Sequence, residues 1–141
     1  MKSDETIDFH IRWAWLKIAK MYNQEAVKHG LTQSTGFVLL SIDPVKGTPS
    51  TQLGPMMGME PTSLSRTLKS MEERSWIKRK SDATDGRVTT VHLTEEGKRL
   101  REISKSTVIG FNKKVLAEVD KASFENFIHV IEVIEKHTSK N

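Results

Sequence analysis

The feature that most constrains the fold is a change of hydrophobic period at residues 77–94, IKRKSDATDGRVTTVHLT. Apolar and polar residues alternate here as in a half-buried strand, with Val91 and Leu93 predicted to face inward, whereas the segments on both sides repeat at helical spacing. The pair Asp85 and Gly86 is a turn signal between two strands. The sequence therefore predicts one two-stranded β-hairpin in a chain that is otherwise helical.

Six segments around this hairpin have the period and the boundary signals of helices. They are predicted at about residues 4–30, 32–47, 49–58, 61–75, 94–117 and from 120 onward. Thr48 followed by Pro49 is a helix start, with a capping hydroxyl and then a ring at the first helical position. Thr94 and Asp120 are the predicted caps of the last two helices.

The fourth predicted helix has one narrow apolar stripe, formed by Leu64, Leu68 and Met71. Its other side carries side chains that donate hydrogen bonds: Thr62, Ser63, Ser65, Arg66 and Lys69. A short helix, a turn, a helix of this kind and a hairpin together form a winged helix-turn-helix. A major groove admits one such helix, where an arginine binds guanine or phosphate and a lysine reaches the backbone.

Basic residues of the hairpin extend this pattern. Arg87 is predicted to enter a minor groove, where A·T-rich DNA concentrates negative potential, and Asp85 is a candidate partner that orients its guanidinium. Two interpretations of Lys78 and Lys80 stay open, phosphate contact or a charged strand edge that prevents aggregation, whereas Arg79 is interpreted as structural.

The distribution of charge supports a polyanionic partner. The chain has a net charge of +4. Residues 66–80 contain six basic and two acidic residues, so this window carries an excess equal to that of the whole chain. We therefore expect double-stranded DNA as the partner.

Residues 53–97 resemble the multiple antibiotic resistance regulator (MarR) family. The most specific part is DGRVTTVHLTEEG, which is similar to the family's Asp-x-Arg wing followed by a strand and Leu-Thr-x-x-Gly. The resemblance implies a mainly α fold with a winged helix-turn-helix core at residues 31–97 and dimerisation helices at 1–30 and 98–141. Ser75 departs from the glycine that members often carry after the recognition helix, which implies a different or strained helix end.

The resemblance also implies a function. It predicts a homodimeric transcriptional regulator, a repressor or an activator, that binds near-palindromic promoter DNA. Many members of the family are released from DNA by a small aromatic or phenolic ligand, so such an effector is also expected. The recognition-helix contacts implied are Thr62, Ser63, Ser65, Arg66 and Lys69, and the wing contacts are Asp85 and Arg87.

Aromatic residues of the first helix leave two alternatives open. His10, Trp13 and Tyr22 are candidates for a ligand pocket, but such a stripe also fits a core or a dimer interface. A second function class remains open too, a winged-helix module whose basic face meets an acidic protein.

Other classes find no support in the sequence. The chain has no cysteine, so disulfides and thiol chemistry are excluded. Its five histidines lack metal-site spacing and no nucleophile–base pair occurs, so we expect no metal, no cofactor and no enzymatic activity. No apolar run reaches the ~20 residues of a membrane span, so a cytoplasmic protein without membrane contact is expected.

Overall fold

The structure, a computed structural model, describes residues 1–81 and 84–139. Within these residues the chain forms six α-helices and three short strands, in agreement with the predicted mainly α class. The helices are α1 Ile7–Val27, α2 Gln33–Ser41, α3 Ser50–Met57, α4 Pro61–Glu73, α5 Glu95–Leu116 and α6 Lys121–Thr138. The strands are β1 Thr48–Pro49, β2 Ile77–Ser81 and β3 Thr89–Leu93. No described helix combines the length and the apolar character that crossing a membrane would need.

The chain divides into two compact units, Met1–Thr107 and Val108–Asn141. The first unit contains α1 to α4, the sheet and the first part of α5. The second contains the end of α5 and α6. The last two residues of the predicted segment 98–141, and residues 82 and 83 of the predicted hairpin loop, lie outside the described residues.

The helix α2 ends earlier than its sequence predicts. The predicted end near Pro44 and Gly47 is wrong, because the helix stops at Ser41 and Ile42 is extended, with φ −89° and ψ 127°. This conformation buries the Ile42 side chain completely in the core. Asp43 then accepts the backbone N–H groups of Val45 and Lys46, at 2.8 and 2.9 Å, which closes a turn where a helix would continue.

A third strand replaces the predicted start of α3. Thr48 and Pro49 form β1 and pair with Val91 and Thr90 of β3, so the sheet has the order β1-β3-β2 and the predicted two-stranded wing is incomplete. The Thr48 hydroxyl accepts the backbone N–H of Asp43 at 2.9 Å and therefore does not cap α3. A proline fits this position because β1 is an edge strand, where a residue without a backbone N–H need not break a hydrogen bond of the sheet.

The core forms where α2, α3 and α4 meet the sheet and the first turns of α5. The buried apolar side chains are Leu31, Val38, Leu39, Ile42, Leu53, Leu64, Leu68, Met71, Trp76, Ile77, Val91, Leu93 and Leu100. The predicted inward positions of Val91 and Leu93 are confirmed, as is the buried stripe of α4. The stripe fixes how α4 is rotated, so the opposite side of this helix faces solvent.

Candidate nucleic-acid interface

The polar side of α4 is exposed along its length. The five candidate contacts are all exposed: Thr62, Ser63, Ser65, Arg66 and Lys69. Pro61 occupies the first helical position, and Glu60 before it makes no side-chain cap. The N–H groups of the first turn therefore receive no cap from that side chain, and the positive end of the helix dipole is accessible to an anion.

The C-terminal end of α4 explains the departure at Ser75. Ser75 has φ +61°, a left-handed conformation that usually falls to glycine. Its N–H donates to the carbonyl oxygen of Glu72 at 3.0 Å, and the N–H of Trp76 donates to that of Met71 at 2.9 Å. This is a Schellman helix end with a non-glycine residue at the strained position.

The same helix end is bonded to the start of α5. The hydroxyl of Thr94 donates to the carbonyl oxygen of Ser75 at 2.6 Å and accepts the N–H of Gly97 at 3.0 Å. The backbone N–H of Thr94 donates to the carbonyl oxygen of Trp76 at 3.0 Å. A Cβ at Gly97 would overlap that carbonyl oxygen, so a side chain there would push α5 away from the base of β2.

Arg74 attaches this junction to the loop between α1 and α2. Its Nη1 donates to the carbonyl oxygen of Gly30 at 3.1 Å, and its guanidinium carbon lies 5.0 Å from the centre of the Trp76 ring. The ring is 8% exposed. A cation over an aromatic face is attracted by the negative charge of that face. Arg74 thus acts within the protein, while Arg66 and Lys69 of the same helix project outward.

The wing carries a preorganised guanidinium. Arg87 Nε donates to Asp85 Oδ1 at 3.1 Å, and Arg87 Nη2 donates to Asp85 Oδ2 at 3.3 Å. The backbone N–H of Arg87 also donates to Oδ1, at 3.0 Å. These hydrogen bonds, the side-chain bonds first, lower the pKa of Asp85. The predicted pairing of Asp85 with Arg87 is confirmed, and the Arg87 side chain is 91% exposed.

The turn at this tip differs slightly from the predicted one. The N–H of Val88 donates to the carbonyl oxygen of Asp85 at 3.0 Å, so Arg87 lies within the turn and not after it. This position directs the arginine away from the core.

The three basic residues of β2 divide between the two faces of the sheet. Arg79 Nε lies 3.6 Å from Glu72 Oε1 of α4, and the Arg79 side chain is 30% exposed. This ion pair with α4 is consistent with the interpretation of Arg79 as structural. Lys78 and Lys80 are exposed and project from the other face, because successive side chains of a strand alternate.

Two candidate pocket residues lie near the beginning of α1. The ring of Phe9 lies 5.3 Å from that of His10 and 6.3 Å from that of Trp13, both edge-on. His10 Nε2 is hydrogen-bonded to the carbonyl oxygen of Asp4 at 2.6 Å. Trp13 is half exposed.

The third candidate, Tyr22, belongs to a different aromatic group. Its ring lies 5.9 Å from that of Phe37 on α2, and Trp15 stacks on the same Phe37 at 6.1 Å. Burial raises the pKa of Tyr22. Trp13 and Tyr22 are nine positions apart, which is two and a half helical turns, so they point to opposite sides of α1. The structure therefore does not bring His10, Trp13 and Tyr22 together.

Sequence reasoning missed the junction between α4 and α5. The sequence identifies Ser75 as a departure and Thr94 as a cap, but it does not predict the hydrogen bond between them or the packing at Gly97. A glycine inside a helical pattern is a signal of close backbone approach, and Gly97 carried that signal. Within residues 1–81 and 84–139, no group of three His, Asp or Glu side chains could hold a metal ion.

Comparisons with known proteins agree with this geometry. Residues 31–89 match the model of the MarR family. The chain is 26% identical over 113 residues to YwoH of Bacillus subtilis, an uncharacterised HTH-type transcriptional regulator, and the match covers 80% of this chain and 82% of YwoH.

Two solved structures share the fold. Staphylococcus aureus MepR, in a DNA complex, aligns with a TM-score of 0.83 at 16% identity, covering 95% of this chain and 98% of MepR. CouR of Rhodococcus jostii RHA1, bound to p-coumaroyl-CoA, aligns with a TM-score of 0.81 at 20% identity, covering 100% and 99%. The family match of residues 31–89, the regulator relative and the winged-helix fold together show that this chain is similar to the MarR family of transcriptional regulators.

Proposed function

We propose that this protein is a MarR-family transcriptional regulator, a homodimeric repressor that binds palindromic promoter DNA and is released by a small aromatic ligand. In each protomer α4 enters a major groove and the wing tip enters the adjacent minor groove. Two copies read half-sites about one helical turn apart, near 34 Å.

The observation that carries the proposal is the fork between Arg87 and Asp85. A solvent-exposed arginine loses side-chain entropy when it binds, and a two-bond fork reduces that loss by fixing the guanidinium beforehand. Narrow minor grooves attract such a group because their negative potential is concentrated.

The polar side of α4 supplies the other contacts. Thr62 and Ser63 lie in the first turn, where the backbone N–H groups and the hydroxyls suit a phosphate. Ser65 and Arg66 follow, within reach of base edges, and an arginine reads guanine through two parallel hydrogen bonds. Lys69, less than one turn beyond Arg66, contacts the backbone as a point charge.

Exposed apolar surface in both units supports a homodimer. In the second unit α6 has no buried residue, although Phe124, Phe127, Ile128, Val130 and Val133 are large apolar side chains on it. In the first unit α1 also has no buried residue, and Ile7, Trp13 and Trp15 are exposed. Monomeric proteins rarely leave so much apolar surface in water, and a second copy of the chain would cover it. Residues 1–30 and 98–141 are therefore the proposed dimerisation helices, and 31–97 the DNA-binding lobe.

An aromatic effector has weaker support. Trp15 stacks on Phe37 and Tyr22 meets the same ring edge-on, so these three rings join α1 to α2 and offer aromatic surface to a planar ligand. CouR, which shares the fold, was solved with p-coumaroyl-CoA. His10 and Trp13 form a separate aromatic group, so a ligand at Tyr22 would not contact them.

The competing function is a winged-helix module that binds an acidic protein. The Arg87 fork and the uncapped first turn of α4 favour DNA. Binding to an acidic protein would not require both a preorganised guanidinium and a helix N-terminus that carries hydroxyl side chains. Retention on random-sequence DNA distinguishes the two functions. Elution at low salt would favour the protein-binding module.

The decisive experiment selects a preferred duplex from a random pool with the full chain and measures affinity by fluorescence anisotropy. Arg66→Ala should weaken binding about 10- to 100-fold, corresponding to about 1–3 kcal/mol, and relax the preference at one base pair. Arg87→Ala should remove the preference for A·T flanks. Arg99→Ala is the matched control, since it removes an exposed arginine of α5 that pairs with Glu96. Wild-type binding by all three variants would disprove the proposal.

A further inference from the structure

The outer face of the sheet carries a second basic surface, separate from α4. Lys78 pairs across the strands with His92, and Lys80 pairs with Thr90. The inner face of β2 is engaged elsewhere, because Ile77 is buried in the core and Arg79 pairs with Glu72 of α4. Lys78 and Lys80 therefore project from the side of the sheet that α4 does not cover.

These lysines line a groove of about 300 Å³. Lys98 and His92 add basic groups to its lining, Glu95 adds one carboxylate, and Pro44 and Val45 from the loop after α2 add apolar surface. Val45 is 86% exposed, although it is apolar. The groove thus combines three lysines with a small apolar ledge, and its volume is at the lower end for small-ligand sites.

The charges of this groove are poorly compensated. Among the described residues, Lys78 and Lys80 have neither an ion-pair nor a side-chain hydrogen-bond partner. Lys98 pairs with Glu95 at 3.3 Å, but the Glu95 side chain is 94% exposed, so water and salt screen that pair. Lys78 and Lys80 are two positions apart on one strand face, about 7 Å, a spacing that a group with two negative charges can bridge.

A charged strand edge that only prevents aggregation would need neither a concave surface nor an apolar wall. We propose that this groove binds the phosphate group of a phosphate ester. Lysines hold phosphate oxygens as point charges, and the apolar ledge contacts the organic part of the ester. The phosphate has two possible sources, a small organic phosphate or the backbone of DNA that continues past the wing.

The first arm of the test needs no DNA and so does not depend on the function proposed above. The full chain is titrated with phenyl phosphate by calorimetry, with benzenesulfonate as a singly charged analogue at equal ionic strength. We expect phenyl phosphate to bind more tightly than benzenesulfonate, and the double variant Lys78→Gln, Lys80→Gln to weaken it at least 10-fold. The matched control, Lys17→Gln with Lys20→Gln, removes two exposed lysines of α1 and should have no effect.

The second arm measures affinity for a random duplex against salt concentration. If DNA supplies the phosphates, the slope of log affinity against log salt should fall by about two in the Lys78, Lys80 variant, because each contact contributes about 0.9. An unchanged slope with lost phenyl phosphate binding assigns the groove to a small molecule. If phenyl phosphate binds wild type and variant alike and the slope is also unchanged, the inference is wrong, whatever Arg66→Ala does to DNA binding.

Discussion

The hydroxyl of Thr94 lies 2.6 Å from the carbonyl oxygen of Ser75, so the residue that caps α5 also binds the residue that follows the end of α4. The carbonyl oxygen of Trp76 lies 3.0 Å from the same hydroxyl. The base of the wing, the end of α4 and the start of α5 are thereby joined at one side chain.

Thr94→Val tests this junction, because valine keeps the shape and removes the hydroxyl. The variant loses the cap to Gly97 and leaves the carbonyl oxygen of Ser75 with one partner fewer. We expect the free energy of unfolding to fall by about 1–2 kcal/mol in urea titrations. Thr94→Ser keeps the hydroxyl and should recover most of the loss. Equal stability of the valine and serine variants would contradict the role assigned to the hydroxyl.

Ser75→Gly should stabilise the protein. Ser75 has φ +61°, which costs a residue with a Cβ about 1–2 kcal/mol and costs glycine little. Glycine also raises the conformational entropy of the unfolded chain, which offsets part of this gain. We therefore expect a net increase in the free energy of unfolding of about 0.5–1 kcal/mol. A calorimetric midpoint about 1–4 °C higher would register it. Ser75→Ala keeps the strain, and an equal gain from alanine would show that backbone strain is not the cause.

Gly97→Ala and Gly110→Ala should have opposite effects, although both glycines lie in α5. A Cβ at Gly97 overlaps the carbonyl oxygen of Trp76, whereas a Cβ at Gly110 meets nothing within 4 Å. The first change should cost about 2–3 kcal/mol by forcing the helix away from the strand base. The second should gain up to about 1 kcal/mol through helix propensity. Thermal unfolding of both variants checks the pair, and a loss at both positions would point to a general intolerance of alanine in α5.

The pH behaviour of the wing follows from Asp85. Its pKa is lowered by the Arg87 hydrogen bonds, so the carboxylate form is favoured in the folded protein. The stabilisation from the pair is complete above the unfolded pKa of about 3.9 and is lost as the pH falls through the lower folded value. Carbon-detected NMR titration should find the Asp85 pKa below 3.9, and Arg87→Ala should raise it towards that value. Asp85 stays ionised between pH 5.5 and 8, so its protonation should not change DNA affinity in that range. Loss of the Asp85–Arg87 hydrogen bonds within that range would contradict the assignment.

The elements that carry the proposed contacts were predictable because each has a local pattern. Leu64, Leu68 and Met71 define the rotation of α4, and the alternation through Val91 and Leu93 defines β3. Asp85 and Arg87 are two positions apart, so their pairing also depends on local sequence. All these features are set within a few residues along the chain.

The features that were missed depend on partners distant in sequence. A two-residue strand has no period, and Thr48 is recognisable as β1 only through its pairing with Val91. The end of α2 is fixed by the burial of Ile42 in a core built from other elements. The separation of Trp13 from Tyr22, in contrast, follows from helical spacing and could have been read from the sequence.

The last prediction concerns the apolar side of α6. Phe127 is 55% exposed in the chain, and we propose that a second copy covers it. Phe127→Glu places a charge at that position, and burying an unpaired carboxylate costs several kcal/mol, so the dimer should dissociate at micromolar concentration. Asn126→Glu is the matched control, because it adds the same charge at the adjacent exposed position. Sedimentation velocity should find a dimer for the wild type and the control and a monomer for Phe127→Glu, with circular dichroism showing retained helix. The monomer should also bind palindromic DNA with the affinity of a single half-site, and a dimeric Phe127→Glu would show that this side of α6 is not the interface.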